Sequence, residues 1–247
     1  HHALVWQDRR TAGRCAELKE AGHEALVRER TGLVLDPYFS ASKIEWLMKN
    51  VEGADRACFG TIDSWLTYRL TGRHVTDYSN ASRTMLFDIH RLQWDPDLCE
   101  LFGVDPDSLP EALPSAHIFG TTSDFGGEVP VAGIAGDQQA ALFGQACFEP
   151  GEAKNTYGTG SFVLQNTGGT APEPGPGLVS TIGWGIGDEV TYALEASVFV
   201  TGAAIQWLRD GLGLITEAAA TEELAASLDG NDAVSFVPAL TGPGSPS

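Results

Sequence analysis

The chain has 247 residues, of which 43% are hydrophobic and 19% are charged, a composition typical of a globular protein with one large domain or two smaller ones. Its 15 Lys and Arg against 33 Asp and Glu give a formal net charge of −18. This balance argues against a nucleic-acid-binding surface, because neutralising phosphates requires clustered cations. No apolar run approaches the roughly 18 residues that a membrane-spanning helix needs, and no cleavable signal is visible.

The four cysteines are scattered, without a paired CxxC motif or a histidine at metal-ligand spacing; they are Cys15, Cys58, Cys99 and Cys147. We interpret them as reduced thiols of a cytoplasmic protein, used mainly as small buried hydrophobic residues.

Capping signals predict four helices in the first part of the chain. Thr11 is expected to cap a helix that runs to about Arg30 and closes at Gly32. A capping box of Ser42 and Glu45 is expected to begin the second helix.

The third and fourth helices have equally local signals. The third begins at Asp63 and ends at Gly72. The pair Asp95-Pro96 opens the fourth, because Pro fits the first helical position.

Strands enter in the second half of the chain. Residues 129–135 are predicted to form a buried strand that leads directly to Asp137 and a helix over 138–144. Strands over 154–157 and 162–166 are joined by the turn Gly158-Thr159-Gly160.

The last predicted elements are a strand over 190–194, a helix over 201–214 and a short strand over 234–237. Helices follow strands in both halves, which indicates an α/β or mixed architecture. The sequence Glu149-Pro150-Gly151 is the expected boundary between two parts.

Asp137 is the strongest candidate for chemistry, because it lies where a strand meets the N-terminus of a helix, the position at which α/β sheets bind ligands. Phosphoryl transfer needs a carboxylate that orients an attacking hydroxyl and takes up its proton. The alternative is that Asp137 only caps the helix, and spacing alone favours that alternative.

Two further segments have the character of backbone-lined sites. The Gly158-Thr159-Gly160 turn lets a ligand approach the backbone and offers N–H and hydroxyl donors, although hairpin turns use the same residues for geometry alone. The small residues over 201–204 either let a flat nucleotide lie close or allow tight helix packing.

These segments and their flanks resemble the FGGY family of carbohydrate kinases, in particular the branch whose members phosphorylate glycerol. The resemblance covers nearly the whole chain and rests on the segments 5–11, 31–40, 76–86, 136–144, 153–160 and 238–242. The strings Gly136-Asp137-Gln138-Gln139 and Asn155-Thr156-Tyr157-Gly158-Thr159-Gly160 are specific to that branch.

The resemblance implies an α/β fold of the actin-like ATPase (ribonuclease H-like) type, with most of the first domain over residues 1–148 and the beginning of a nucleotide-side domain over 149–247. It also implies ATP and Mg²⁺ as cofactors and glycerol as substrate. Magnesium would be held mainly by phosphates and water, so no protein metal ligand is expected. Homo-oligomerisation stays open.

The same resemblance implies roles for single residues. Asp137 would be the general base and would bind a glycerol hydroxyl beside Gln138; the other expected substrate contacts are Trp6, Tyr38 and Phe162. Aromatic faces can cover the carbon chain of a polyol while polar groups order its hydroxyls, although core aromatics are the simpler alternative. Thr159, Gly202 and Gln206 match positions around the nucleotide.

The chain also departs from the family pattern. It lacks the N-terminal Asp-x-Gly-Thr segment that handles phosphates and the Gln-Arg-Glu stretch expected before Trp6, and it stops soon after Gly242. We therefore expect an internal fragment of a longer enzyme that does not turn over alone. The rival hypotheses are a kinase for another small polyol or ketose and a catalytically inactive actin-like binding protein.

The acidic composition, with only four lysines, predicts adaptation to high salt. Like charges repel one another at low ionic strength, and salt screens that repulsion. We expect a higher melting temperature in molar KCl than in low salt, by about 2–4 °C for each kcal/mol of relieved repulsion. Thermal melts followed by circular dichroism test this, and an unchanged melting temperature would contradict it.

Overall fold

The computed structural model describes residues 2–237, in which helices and strands alternate along the chain. The segment 238–242, which contributed to the family resemblance, lies outside the described residues. Within the described range the helices are α1 (Ala12–Glu20), α2 (Glu24–Thr31), α3 (Ala41–Asn50), α4 (Ile62–Thr71), α5 (Tyr78–Ala81), α6 (Pro96–Phe102), α7 (Asp137–Gly144), α8 (Gly202–Gln206) and α9 (Ala220–Ala226). None of these helices is long and apolar enough to cross a lipid bilayer.

The strands of the same range are short in the first half and longer in the second. They are β1 (Val75–Asp77), β2 (Phe87–Asp88), β3 (Gln93–Trp94), β4 (Glu111–Leu113), β5 (Gly120–Thr122), β6 (Val129–Val131), β7 (Ala153–Tyr157), β8 (Ser161–Gly168), β9 (Val179–Ile186) and β10 (Glu189–Val198). Mixed helix and sheet content of this kind confirms the α/β prediction.

The first predicted helix is divided into α1 and α2, so the expectation of one continuous helix was wrong. Gly22 adopts a left-handed φ of 87°, and the amide of His23 reaches back to the carbonyl of Leu18 at 3.0 Å. A left-handed glycine of this kind ends a helix because no Cβ opposes it. The second end was predicted correctly, since α2 stops at the left-handed Gly32.

The predicted capping box at Ser42 and Glu45 is also wrong, because α3 begins at Ala41. The Ser42 hydroxyl instead lies 2.8 Å from that of Thr11, and Glu45 pairs with Arg14 at 3.0 Å. These side chains hold α1 against α3 rather than capping a helix.

Two helix signals are confirmed. α4 ends at the left-handed Gly72, and Asp95 Oδ1 accepts a hydrogen bond of 2.9 Å from the amide of Leu98 at the start of α6. Asp63 lies in the first turn of α4, where its Oδ2 accepts a 2.6 Å hydrogen bond from the Thr76 hydroxyl of β1. Burial raises the pKa of Asp63, although its hydroxyl partners oppose the shift.

The strand predicted over 129–135 is shorter and more exposed than expected. Only Val129–Val131 pair, as β6 against β5, and the strand is largely exposed. Pro130 cannot donate to a ladder, which confines this segment to an edge. The four residues from 132 to 135 run on without regular structure to Gly136 and α7.

The largest sheet is antiparallel and four-stranded, in the order β7-β8-β10-β9. β7 and β8 form the hairpin that the sequence predicted, and β10 is longer than its predicted core. β9 was not predicted, because its glycine- and serine-rich sequence lacks the alternation of a half-buried strand. Its Gly185 lies so close to α5 that an added Cβ would be 3.0 Å from the ring of Tyr78.

The β7–β8 turn packs directly on the start of α8. The amides of Thr201 and Ala203 donate to the carbonyl of Thr159 at 2.9 and 3.1 Å, and the amide of Gly202 donates to that of Gly158 at 3.0 Å. The helix predicted over 201–214 is therefore shorter, ending at Gln206 and continuing as one π-helical turn, Trp207–Gly211. The strand predicted over 234–237 does not form.

We expect Gly202→Ala to destabilise the fold, because the new Cβ would lie 2.4 Å from the carbonyl oxygen of Gly158. Separating the turn from α8 breaks the backbone hydrogen bonds between them, a loss of about 1–3 kcal/mol. Urea unfolding measures this loss as a lower free energy of unfolding. Gly144→Ala is the matched control, since an added Cβ there meets nothing within 4 Å. Equal stability of the two variants would contradict the prediction.

The cysteines differ in accessibility, with Cys58 exposed and the other three buried. Burial raises the pKa of Cys99 to about 11 and also raises that of Cys15. For Cys99 the shift lowers the thiolate fraction at pH 8 by ~100-fold relative to an ordinary thiol.

We therefore expect iodoacetamide to modify Cys58 in the folded chain at pH 8 and to spare Cys15, Cys99 and Cys147. Peptide mass spectrometry over a time course measures this. All four should react in 8 M urea as a control. Native labelling of Cys99 at the rate of Cys58 would show that the protection is absent.

Candidate functional site

The segment before α7 is anchored by backbone and hydroxyl hydrogen bonds. The amide of Ile134 donates to the carbonyl of Ser115 at 3.0 Å, and the amide of Gly136 donates to the hydroxyl of Ser79 at 2.9 Å. These contacts place Asp137 as the first residue of α7.

The Asp137 carboxylate is exposed at this helix start. Its Oδ1 accepts a 2.8 Å hydrogen bond from the amide of Gln138, and its Oδ2 lies 3.5 Å from the Gln138 side-chain nitrogen. Gly136 occupies the N-cap position, so the alternative that Asp137 serves as the helix cap is wrong.

A cavity of about 540 Å³ lies beside Gln138. It is bounded by two loops of the first part of the chain, by the β7–β8 hairpin and by the start of α8. Its lining residues are Trp6, Gln7, Arg9, Asp36, Tyr38, Gln138, Thr156, Gly158, Thr159, Gly160, Phe162, Phe199, Val200 and Ala203. A cavity of this size suits a small ligand.

Most of the predicted substrate residues meet in this cavity. Trp6, Tyr38, Gln138 and Phe162 all line it, while Asp137 lies next to it through Gln138. A larger groove of about 690 Å³ between α3 and α6 contains none of the predicted site residues. The cavity at Gln138 is therefore the candidate site.

Aromatic rings form one wall of the cavity. Trp6 meets Tyr38 edge to face, with ring centroids 5.4 Å apart, and Tyr38 meets Phe39 in the same way at 5.0 Å. The Arg83 guanidinium lies 5.8 Å from the Tyr38 ring centre. Burial raises the pKa of the Tyr38 phenol, with Arg83 opposing, so its hydroxyl is protonated at neutral pH and can donate.

The predicted nucleotide residues are only partly brought together. Thr159 lines the cavity and Gly202 touches the same turn, whereas Gln206 is exposed at the end of α8 and does not line the cavity. The turn was expected to offer its N–H groups. Its Gly158 and Thr159 carbonyls accept from the start of α8, and the amide of Gly158 donates to the carbonyl of Gly160 at 2.8 Å, so this one N–H group already has an acceptor.

Gly160 lets the β7–β8 turn pack closely on the end of β10, since an added Cβ would lie 2.6 Å from the carbonyl oxygen of Val198, and this close contact leaves no space for a ligand. Residues 2–237 contain no group of three or more His, Cys, Asp or Glu side chains placed to hold a metal ion. A magnesium ion here would depend on phosphate oxygens and water for its ligands.

Sequence reasoning missed a set of buried charges behind the cavity. Arg83 pairs with Glu195 of β10 at 2.9 Å, and the Ser197 hydroxyl donates to the same carboxylate at 2.9 Å. Within the described residues, Arg83 Nη1 and Glu195 Oε2 are buried without a hydrogen-bond partner. Because Arg83 and Glu195 are 112 residues apart, no local pattern could have paired them.

Lys154 of β7 was also missed, although a signal exists. The chain has only four lysines, and the alternation of β7 places Lys154 on the same face as Thr156, towards α7. The residue is 2% exposed, and its ammonium group donates to the Gln138 side-chain oxygen.

Known proteins resemble the chain over its full length. Glycerol kinase 2 of Thermotoga maritima is 57% identical over 256 residues, and the glycerol kinase of Bacillus cytotoxicus is 53% identical over 257 residues. Each alignment covers 100% of this chain and 52% of the relative, so the chain spans about half the length of the curated relatives it matches.

Solved structures show the same fold. The crystal structure of Plasmodium falciparum glycerol kinase with ADP superposes with a TM-score of 0.91 at 35% identity, covering 100% of this chain and 51% of that one. A ligand-bound xylulose kinase from Lactobacillus acidophilus gives a TM-score of 0.84 at 20% identity, covering 98% and 51%. These neighbours confirm the predicted actin-like ATPase fold.

The N-terminal domain of the FGGY family of carbohydrate kinases matches residues 1–144, which is more than half of the chain. Its match ends at the last residue of α7, the helix that begins with Asp137. The sequence strings, the fold and the family match agree, and the chain belongs to the FGGY family of carbohydrate kinases.

Proposed function

We propose that this protein transfers the γ-phosphoryl group of ATP to a terminal hydroxyl of glycerol, giving sn-glycerol 3-phosphate, with Asp137 as general base. The observation that carries the proposal is the Asp137 carboxylate at the start of α7, next to an aromatic-walled cavity of about 540 Å³. The two relatives at 57% and 53% identity, both named glycerol kinase, support glycerol as the substrate.

The proposed chemistry assigns the proton to Asp137. Asp137 accepts the proton of the glycerol hydroxyl while that oxygen attacks phosphorus in line. The bond between the γ-phosphorus of ATP and its β–γ bridging oxygen breaks, and ADP leaves; Mg²⁺ would neutralise charge on the phosphates. The carboxylate is exposed, so a substrate hydroxyl can reach it, and its two hydrogen-bond contacts from Gln138 fix its position.

The cavity residues would position the substrate. Trp6 and Phe162 would lie against the carbon chain, and the Tyr38 hydroxyl and Gln138 amide would hydrogen bond to the polyol hydroxyls. Narrow aromatic walls favour a three-carbon substrate over a pentulose. Thr159, Gly202 and Gln206 are proposed nucleotide contacts; Thr159 lines the cavity, and Gly202 lies against the same turn.

The domain division is also a proposal. Residues 1–148 would form the substrate-side domain and 149–247 the beginning of the nucleotide-side domain, and the family match over 1–144 supports this division. The cytoplasmic location expected from the cysteines stays a prediction.

The test is ADP release by the full-length protein with Mg-ATP and glycerol, xylulose, gluconate or dihydroxyacetone. We expect turnover with glycerol and a fall of ~10²–10⁴-fold in kcat for Asp137→Asn, because the amide cannot accept the proton. Nucleotide binding should be unchanged. Asp124→Asn is the control, since Asp124 is an exposed carboxylate in the β5–β6 turn.

The other outcomes separate the rivals. Turnover with xylulose or gluconate alone, lost in Asp137→Asn, would keep the family and the base but overturn the substrate. Nucleotide binding without turnover of any of the four compounds would favour an actin-like binding protein. Full activity of Asp137→Asn would overturn the assignment of the base.

A further inference from the structure

Lys154 carries a buried cation whose hydrogen bonds are all to neutral groups. Its Nζ donates to Gln138 Oε1, to the Thr156 hydroxyl at 2.9 Å and to the Phe162 carbonyl at 3.2 Å. An ammonium group has three protons, so each has an acceptor. Within residues 2–237, Lys154 has no carboxylate at ion-pair distance, unlike Arg83, which pairs with Glu195.

The hydrogen bond to Gln138 determines which way the Gln138 amide faces. An ammonium group can only donate, so the amide must direct its oxygen at Lys154 and its nitrogen away from it. That nitrogen lies 3.5 Å from Asp137 Oδ2, while the Gln138 backbone amide holds Oδ1 at 2.8 Å. Lys154 thus acts on the surroundings of Oδ2 through the Gln138 side chain, whereas the contact to Oδ1 comes from the backbone.

Stability does not account for a lysine at this position. Burying an ammonium group is costly even when it is hydrogen bonded. Burial lowers the pKa of Lys154, and the Glu195 and Asp137 carboxylates oppose that shift without cancelling it. The charged form is therefore disfavoured by the fold, and a neutral side chain would fill the same place at less cost.

We propose that Lys154 is a positioning residue, which holds the Gln138 amide with its N–H group towards the Asp137 carboxylate and the reacting hydroxyl. The inference rests on the proposed function, since it concerns the same acceptor site. With the amide reversed, the Gln138 oxygen would face the carboxylate, and two acceptors would repel each other where the hydroxyl must bind.

Loss of this orientation should slow the chemical step more than it weakens nucleotide binding. A misplacement of about 1 Å at a reacting group costs on the order of 100-fold in rate. We therefore expect Lys154→Met in the full-length protein to lower kcat with the polyol ~10–100-fold and to leave KM for ATP unchanged. Its melting temperature should change by less than about 4 °C, as expected for a shift of ~1 kcal/mol.

Two further variants serve as a rescue and a control for this measurement. Lys154→Arg keeps a donor towards Gln138 and should recover part of the lost kcat. Lys19→Met, which removes a lysine from the exposed side of α1, should behave as the wild type. An unchanged kcat in Lys154→Met, or an equal rise in KM for ATP, would overturn the proposal.

A double-mutant cycle separates positioning from a general structural effect. If Lys154 acts through Gln138, Lys154→Met should have little further effect on kcat in a Gln138→Leu background. If the loss of kcat in the double variant equals the product of the two single-variant losses, Lys154 acts independently of Gln138, which would contradict the proposal.

A structural measurement keeps this inference distinct from the assignment of the substrate. If the wild type phosphorylates none of the compounds tested, the proposed function fails. The position of the Gln138 side chain in crystals of Lys154→Met then still tests whether Lys154 positions Gln138. A displaced Gln138 side chain, with its contact to Asp137 lost, would support the proposal. A Gln138 side chain in its original place would overturn it.

Discussion

The site depends on one buried carboxylate, that of Asp77, which is fully inaccessible to solvent. It accepts five hydrogen bonds of 2.6–3.1 Å, from Ser79 N and Oγ, Asn80 N and Nδ2, and Ser115 Oγ. The Ser79 hydroxyl in turn accepts from the amide of Gly136, and the Ser115 hydroxyl accepts from that of Gly185 in β9. Hydrogen bonds to a charged acceptor are strong, and removing it would leave buried donors unsatisfied. Asp77 therefore joins the loop that carries Asp137 to the large sheet.

The charged side chains of the site differ in their exposure to solvent. Asp137 is exposed at the cavity edge, whereas Lys154 and Glu195 are each 2% exposed behind it. Groups that exchange protons with a substrate must be accessible, while buried charges act through fixed geometry and field. The Arg83–Glu195 pair joins the aromatic wall to β10, and Lys154 joins β7 to α7. Both walls of the cavity are thus held by charged side chains that do not themselves line it.

Local signals predicted local features well. The helix ends at Gly32 and Gly72, the Asp95-Pro96 start and the β7–β8 hairpin are decided by residues within one turn, and the sequence contains that information. The Ser42 contact was missed because a distant partner, Thr11, decides it. The break at Gly22 and the edge strand at Pro130 have local signals that the prediction did not use. For the site, the family resemblance brought together aromatic and polar residues more than 100 positions apart, which no spacing rule could do. Lys154 escaped both approaches, since its meaning depends on the side chain of Gln138.

The contact between the β7–β8 turn and α8 has a mechanical consequence. Three backbone hydrogen bonds join the turn to the start of α8, and Gly202 leaves no gap between them. α8 cannot tilt alone without breaking those hydrogen bonds, so the hairpin and α8 form one rigid unit. Phe162 and Lys154 lie on the strands of that rigid unit. A displacement of α8 would consequently carry the hairpin with it and move Phe162 relative to Trp6 and Tyr38, which lie outside the hairpin.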